Sequence, residues 1–216
     1  MAMSEAHEAW EERYAERERV WSGRVNARLA EVVEQVTPGR ALDLGCGEGA
    51  DALWLAERGW HVTAVDISQT ALDRAAADAA ARNLAGSIDY QRHDLTETFP
   101  DGVFDLVSAQ FLHSTVPMDR AQLLRRAAGV VAKGGTLLIV DHGAAPPWSS
   151  KPDHHHHEFG SAEHVVSLLN LDDAEWDRVR IEAVERDAVG PDGQHAVLTD
   201  NVMVLRRRCA AGSPLT

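Results

Sequence analysis

Short, mostly apolar runs alternate with longer helical periods through the middle of the chain. The runs fall at residues 41–44, 61–65, 88–91, 104–109 and 136–140, and helical spacing fills the stretches up to Arg58, from Ser68 to about Asn83, and from 119 to 131. Runs without strict period-two alternation fit strands buried on both faces, and βα order of this kind predicts a parallel sheet covered by helices on both sides. Local punctuation agrees: Ser68 is placed as an N-cap, Gly59 as a helix-ending glycine, and Lys133-Gly134-Gly135 as the close of the helix over 119–131.

The flanks read differently. Residues 4–20 are highly charged, with Trp10 and Tyr14 at i, i+4, which predicts a helix with a one-sided aromatic stripe continuing to Trp21. Val25, Leu29, Val32, Val33 and Val36 predict a second helix that stops at Thr37-Pro38-Gly39. Residues 143–160 carry several prolines and four consecutive histidines without an apolar period, and are expected to form a loop that lids a site. A helix near 162–169 follows. The long runs 176–189 and 196–207 then flank Gly190-Pro191-Asp192-Gly193, the chemistry of an antiparallel hairpin. The sum is an α/β sheet of seven strands, mostly parallel with the last antiparallel, and helices on both faces.

At 216 residues and 44% hydrophobic content the chain has one core's worth of material, so a single domain over 1–216 is expected. Its parts are an N-terminal helical lid at 1–36, a ligand-binding core at 40–141, the His/Pro-rich loop at 142–160, and a C-terminal helix and hairpin at 161–208. No run approaches the roughly 20 apolar residues of a membrane span, and the charged first residues do not resemble a secretory signal. With only Cys46 and Cys209 available, no disulfide framework is built. A cytoplasmic protein without membrane association is the expectation, as a monomer or homodimer. The net charge of -13 argues against a nucleic-acid partner, whose phosphates call for a basic face. Arg206, Arg207 and Arg208 are read as a solvated strand end.

The sharpest chemistry is Leu42-Asp43-Leu44-Gly45-Cys46-Gly47-Glu48-Gly49, a glycine turn leaving the first strand and opening a helix. Glycines there let the backbone approach a ligand at the carboxyl end of a strand, where open α/β sheets bind them. Asp66 ends the second strand, where a carboxylate accepts ribose hydroxyls, and Asp94 follows the third, placed to accept from an adenine amino group. Together they outline a nucleoside-shaped slot.

These residues resemble the Rossmann-like class I S-adenosylmethionine (SAM) dependent methyltransferases, over roughly residues 40–208, and most of all the small bacterial tellurite-resistance and thiopurine methyltransferase branch. The resemblance implies that Asp43, Gly45, Cys46, Gly47 and Gly49 form the cofactor turn, Asp66 and Ile67 hold the ribose, Asp94 and Leu95 meet the adenine, and Gln110 lies in the segment after strand four. It further implies that Tyr14, Trp21 and Arg24 close over the methionine end, with Arg24 facing its carboxylate. S-adenosylhomocysteine would be the product. The rival for the glycine turn is a nicotinamide oxidoreductase, and Asp94 and the terminal antiparallel hairpin weigh against it. A SAM-binding sensor without turnover is the other alternative.

Methyl transfer asks the protein to align nucleophile and methyl and to exclude water; a base is needed only where the acceptor arrives protonated. His113, past strand four, and His142, past strand five in Asp141-His142-Gly143, are the candidates, beside the bland reading of structural histidines. The segment Ala109-Gln110-Phe111-Leu112 lacks the Asn/Asp-Pro-Pro-aromatic loop of nucleic-acid amino-methyltransferases, and neither cysteine lies in a Pro-Cys loop. A small-molecule acceptor with an O, N, S or metalloid nucleophile is therefore expected. His154, His155, His156 and His157 are consecutive in an extended loop and point alternately apart, so at most two adjacent imidazoles readily share one metal without help from His164, His142 or Glu158; no metal is assigned, and a metal-dependent variant stays open.

Overall fold

The structure, a computed structural model, describes residues 4–34, 36–114, 116–145, 147–148, 160–190 and 192–209. Helices α1 (Glu5–Ala15) and α2 (Ala27–Val33) precede the alternation of β1 (Arg40–Leu44), α3 (Ala50–Ala56), β2 (His61–Asp66), α4 (Gln69–Ala81) and β3 (Ile88–Arg92). Then come β4 (Phe104–Gln110), α5 (Arg120–Gly129), β5 (Val131–His142), α6 (Ala162–Leu168), β6 (Trp176–Val189) and β7 (His195–Arg207). The seven strands make one sheet in the order β3-β2-β1-β4-β5-β7-β6. Strands β1 to β5 pair in parallel; β7 runs antiparallel to both β5 and β6 and lies between them.

Burial explains the runs. In β4 all but one residue is buried, because α2 and α3 cover one face and α5 and α6 the other. Leu42 and Leu44 face the α5 side with Val107, Leu124 and Ile139, whereas Ala41 and Ala64 face Leu29, Leu53 and Leu55. Each fully buried leucine contributes about 1.5–3 kcal/mol by leaving water. Edge strand β6 alternates instead, with one side solvated. The order reverses between β1 and β4, and the crevice at their carboxyl ends is where such sheets receive ligands.

The structure corrects four boundaries. Helix α1 stops at Ala15 rather than running to Trp21, because Glu48 draws the backbone N–H groups of Val20 and Trp21 across the glycine turn. Residues 16–26 are therefore a non-helical strap. Helix α2 covers only Ala27–Val33, and α3 ends at Ala56. Lys133-Gly134-Gly135 lies inside β5, which already begins at Val131 and shifts register against β4 there, with Gly134 at φ 82°. The four histidines at 154–157 lie outside the described residues.

Candidate functional site

The glycine turn is held from beneath and from the side. Gly45 and Cys46 both donate backbone N–H bonds to the Val65 carbonyl, at 2.8 and 2.9 Å, pinning the turn to β2. Gly47 N–H donates to Asp66 Oδ2 at 2.9 Å, and Ser68 N–H to Asp66 Oδ1 at 3.0 Å. Gly47 adopts φ 53°, and a Cβ there would lie 3.0 Å from both Trp21 Nε1 and Tyr14 Oη. Gly49, at φ 81°, caps α3 against α4, where a Cβ would meet that of Ala75 at 2.7 Å. Glycine is required at both.

Three buried carboxyl groups surround this turn. Asp43 is 2% exposed, and its Oδ2 has no hydrogen-bond partner among the described residues. Burial, with the charges of Asp51 and Asp66 added, pushes its carboxyl well above the ordinary range. Asp51 accepts from the N–H and side-chain amide of Asn26, each at 2.8 Å, yet burial still holds it raised. Burial likewise raises Asp66 against its backbone bonds, and raises the Cys46 thiol, aided by Asp66 and Asp43. A buried acidic cluster with an orphaned oxygen fits a ligand that brings a positive charge, and SAM brings an ammonium and a sulfonium. The residues present fit that cofactor: Asp43 for the cationic end, Asp66 for hydroxyls.

The N-terminus crosses the carboxyl ends of β3, β2 and β1 in turn. Ser4 Oγ donates to Asp94 Oδ2 at 2.7 Å; Glu11 accepts from Thr70 Oγ1 at 2.6 Å at the start of α4; Tyr14, 2% exposed, lies on Gly47 and accepts from Trp21 Nε1 at 2.9 Å. Glu48, 3% exposed, takes the N–H groups of Val20 and Trp21 at 3.1 and 3.0 Å and an Arg74 guanidinium bond at 2.9 Å. Arg74 also donates to the Tyr14 carbonyl at 2.9 Å, and Arg19 pairs with Asp78. Burial of the Tyr14 phenol, with Asp66 nearby, pushes its ionisation far up, so the hydroxyl stays protonated. Glu48 and Arg74 hold the strap to the turn although the sequence did not single them out. Glu48 stood within the glycine motif, but nothing in the spacing of Arg74 pairs it with residue 48.

The sequence-chosen residues divide accordingly. Asp43, Gly45, Cys46, Gly47, Gly49, Asp66 and the half-buried Ile67 come together with Tyr14 and Trp21. Leu95 is buried in the core cluster that holds Leu44 and Val65, and Asp94 spends both oxygens on Ser4 and Thr96; burial would raise its carboxyl, but those bonds outweigh it and hold it low. Arg24 is exposed on the strap, its backbone N–H bonded to Ser22. A cavity of about 300 Å³ lies under the strap, bordered by Trp21, Glu48, Leu53 and Asp78; none of Asp43, Asp66 or Asp94 lines it.

At the ends of β4 and β5, Gln110 is buried and donates to Ser108 Oγ at 3.1 Å. His113, His142 and Phe111 gather there: the Phe111 and His142 rings stack at 4.4 Å, and those of His113 and His142 at 5.9 Å. Among the described residues no group of three or more His, Cys, Asp or Glu is placed to hold a metal, and no helix is long and apolar enough to cross a membrane.

Comparison with known proteins matches residues 42–139 to the family model described as a methyltransferase domain. A curated relative, the 2-heptyl-1-hydroxyquinolin-4(1H)-one methyltransferase of Mycobacteroides abscessus, is 34% identical over 102 residues, 46% of this chain and 44% of that protein. Other curated matches include methyltransferases of ribosomal RNA. The chain spans less than half the length of each of these relatives. A solved structure from work on the conversion of a disulfide bond into a thioacetal group during echinomycin biosynthesis aligns with TM-score 0.71 and 25% identity, covering 95% of this chain and 94% of that one. TehB from Haemophilus influenzae shares the fold at TM-score 0.66 and 16% identity, over 92% of this chain and 66% of its own. Residues 42–139 are thus a methyltransferase domain, set in the class I Rossmann-like fold, and S-adenosylmethionine is the cofactor such a domain takes.

Proposed function

We propose that the chain transfers the methyl group of SAM to a small-molecule acceptor, with Asp43, Gly45, Cys46, Gly47, Gly49, Asp66, Ile67, Asp94, Leu95 and Gln110 around the cofactor and Tyr14, Trp21 and Arg24 closing over it. The observation that carries this reading is the unpartnered Asp43 oxygen inside the buried cluster of Asp43, Asp51 and Asp66. A cation desolvated there removes a penalty the fold otherwise bears, and a ribose diol uses the lone pairs Asp66 has left. When bound, SAM supplies an activated methyl group. The chain's own residues orient it, exclude water through the strap, and accept a proton from the acceptor at His113 or His142.

A small acceptor is supported by the net charge of -13 and by the relative named for methylating a hydroxyquinolone. Calorimetric titration of cofactor-stripped protein with SAM, S-adenosylhomocysteine and NAD in parallel tests the cofactor. Micromolar binding of the first two without NAD is expected; NAD binding, or none of the three, overturns the reading.

A further inference from the structure

The acceptor can be narrowed at the ends of β4 and β5. Phe111 adopts φ 51°, a left-handed conformation that a bulky residue holds only under strain, and such strain concentrates at functional sites. Its turn brings Leu112 against Gly45, where a Cβ would lie 2.6 Å from Leu112 Cδ1, so this segment borders the cofactor turn directly. It also lays the Phe111 ring on His142 at an interplanar angle of 28°, with His113 and His142 nearly parallel at 16°. Three half-buried rings thus stand together beside the segment that borders the glycine turn.

Behind them stands a charged pair. Asp141, 4% exposed, has Oδ1 3.9 Å from His113 Nε2, and Arg120 donates to the same oxygen. Arg120 Nε also donates to the Leu112 carbonyl at 3.0 Å, so α5 fixes the turn after β4 and the end of β5 together. The titratable and charged groups described around His113 are Asp141 and His142 from β5 and Arg120 from α5.

We propose that the acceptor is a planar aromatic hydroxyl compound whose ring lies against the Phe111–His142–His113 wall and whose proton passes to His113, with Asp141 and Arg120 as positioning residues. This rests on the methyltransferase reading and deepens it. Ring-on-ring contact adds to the gain from buried area, which selects a flat acceptor. A phenol-like hydroxyl, with a pKa of about 10, stays protonated at neutral pH and needs a base as it attacks, whereas a thiolate does not. In the step, an oxygen lone pair forms the C–O bond as the methyl–sulfur bond breaks and its electron pair stays on sulfur, leaving S-adenosylhomocysteine. The hydroxyl proton moves to His113, whose two ring nitrogens are buried, and reaches solvent on product release.

The test compares 1-naphthol with naphthalene-1-thiol and ethanethiol, following methyl transfer from radiolabelled SAM. The wild-type chain is expected to methylate 1-naphthol. His113→Asn should cut that rate by about 100-fold or more, with a rate that climbs with pH as free naphtholate forms, while transfer to the already ionised naphthalene-1-thiol falls only a few-fold. Asp141→Asn should shift the 1-naphthol pH profile in the same direction by a smaller factor, and Phe111→Leu should raise KM more than it lowers kcat. Equal losses for naphthol and thiol, transfer to ethanethiol alone, abolition by a chelator, or no transfer to 1-naphthol by protein that binds SAM each overturn this proposal and leave the methyltransferase reading standing. Failure to bind SAM overturns both, and calorimetry of every variant separates the cases.

Discussion

The two halves of the cleft are built in different ways. Around β1, β2 and β3 backbone and carboxylate groups, lidded by Tyr14 and Trp21, form the site: the turn is bonded to Val65 and Asp66, and residues 4–21 are tied down at Asp94, Thr70 and Glu48. Around β4 and β5 stand rings, a strained turn and one arginine. Backbone bonds specify one ligand shape rigidly, while stacked rings accept any flat surface of suitable size. The contrast matches a constant methyl donor on one side and a selectable acceptor on the other.

The rigid half breaks most sharply at Gly49. A Cβ at φ 81° that also presses on Ala75 should cost roughly 2–4 kcal/mol in Gly49→Ala, read as a lower denaturant midpoint. The next effect tests whether the acidic cluster trades stability for binding. The folded Asp43 carboxyl is raised, so the native state holds its proton more tightly than the unfolded chain. That advantage is lost as pH rises from the ordinary carboxylate range toward the folded value. Asp43→Asn removes the resulting penalty at neutral pH, and should stabilise the cofactor-free protein by roughly 1–2 kcal/mol while weakening SAM by a similar amount. A variant that loses both stability and affinity would make Asp43 a structural group.

Smaller effects sharpen the picture of the strap. Glu48→Gln removes a charged acceptor from two backbone donors and Arg74, and should speed limited trypsin cleavage at Arg17 and Arg19 about tenfold, with the melting curve nearly unchanged. Ser4→Ala should cost at most about 1 kcal/mol, seen as faster hydrogen exchange at the His7 amide that Ser4 caps. The Asp94 carboxylate is held low, so its contribution is present above the unfolded pKa and fades only as pH falls through the folded value. Fraying of the helix start in acid should follow that direction.

The fold was legible because it rests on burial. Runs such as Phe104–Gln110 are apolar on both faces only when helices cover both, and β6 and β7 pair antiparallel as the turn chemistry between them predicts. The glycine turn was legible because positive φ at Gly47 and Gly49 leaves a residue-type signature. The path of residues 16–26 was not, because charge and aromatic spacing suit a helix while a distant carboxylate, Glu48, decides the outcome. The partnership of Arg120 with Asp141 was equally hidden, since neither spacing nor type links a helix start to the end of the next strand. Asp94 was legible as an acid at a strand end, but its bonds to Ser4 and Thr96 belong to tertiary packing.

Strand β7 occupies an interior position of the sheet although it follows β6 in the chain. Among the described residues β6 pairs with β7 alone, and β7 in turn pairs with β5, so until residues 195–207 dock β6 has no strand partner and the outer edge of β5 is open. Partly folded chains in that condition present open strand edges to one another, the arrangement that promotes intermolecular pairing. Yield is thereby tied to how readily residues 195–207 dock, and a substitution that weakens the β5–β7 pairing should favour aggregates over folded protein.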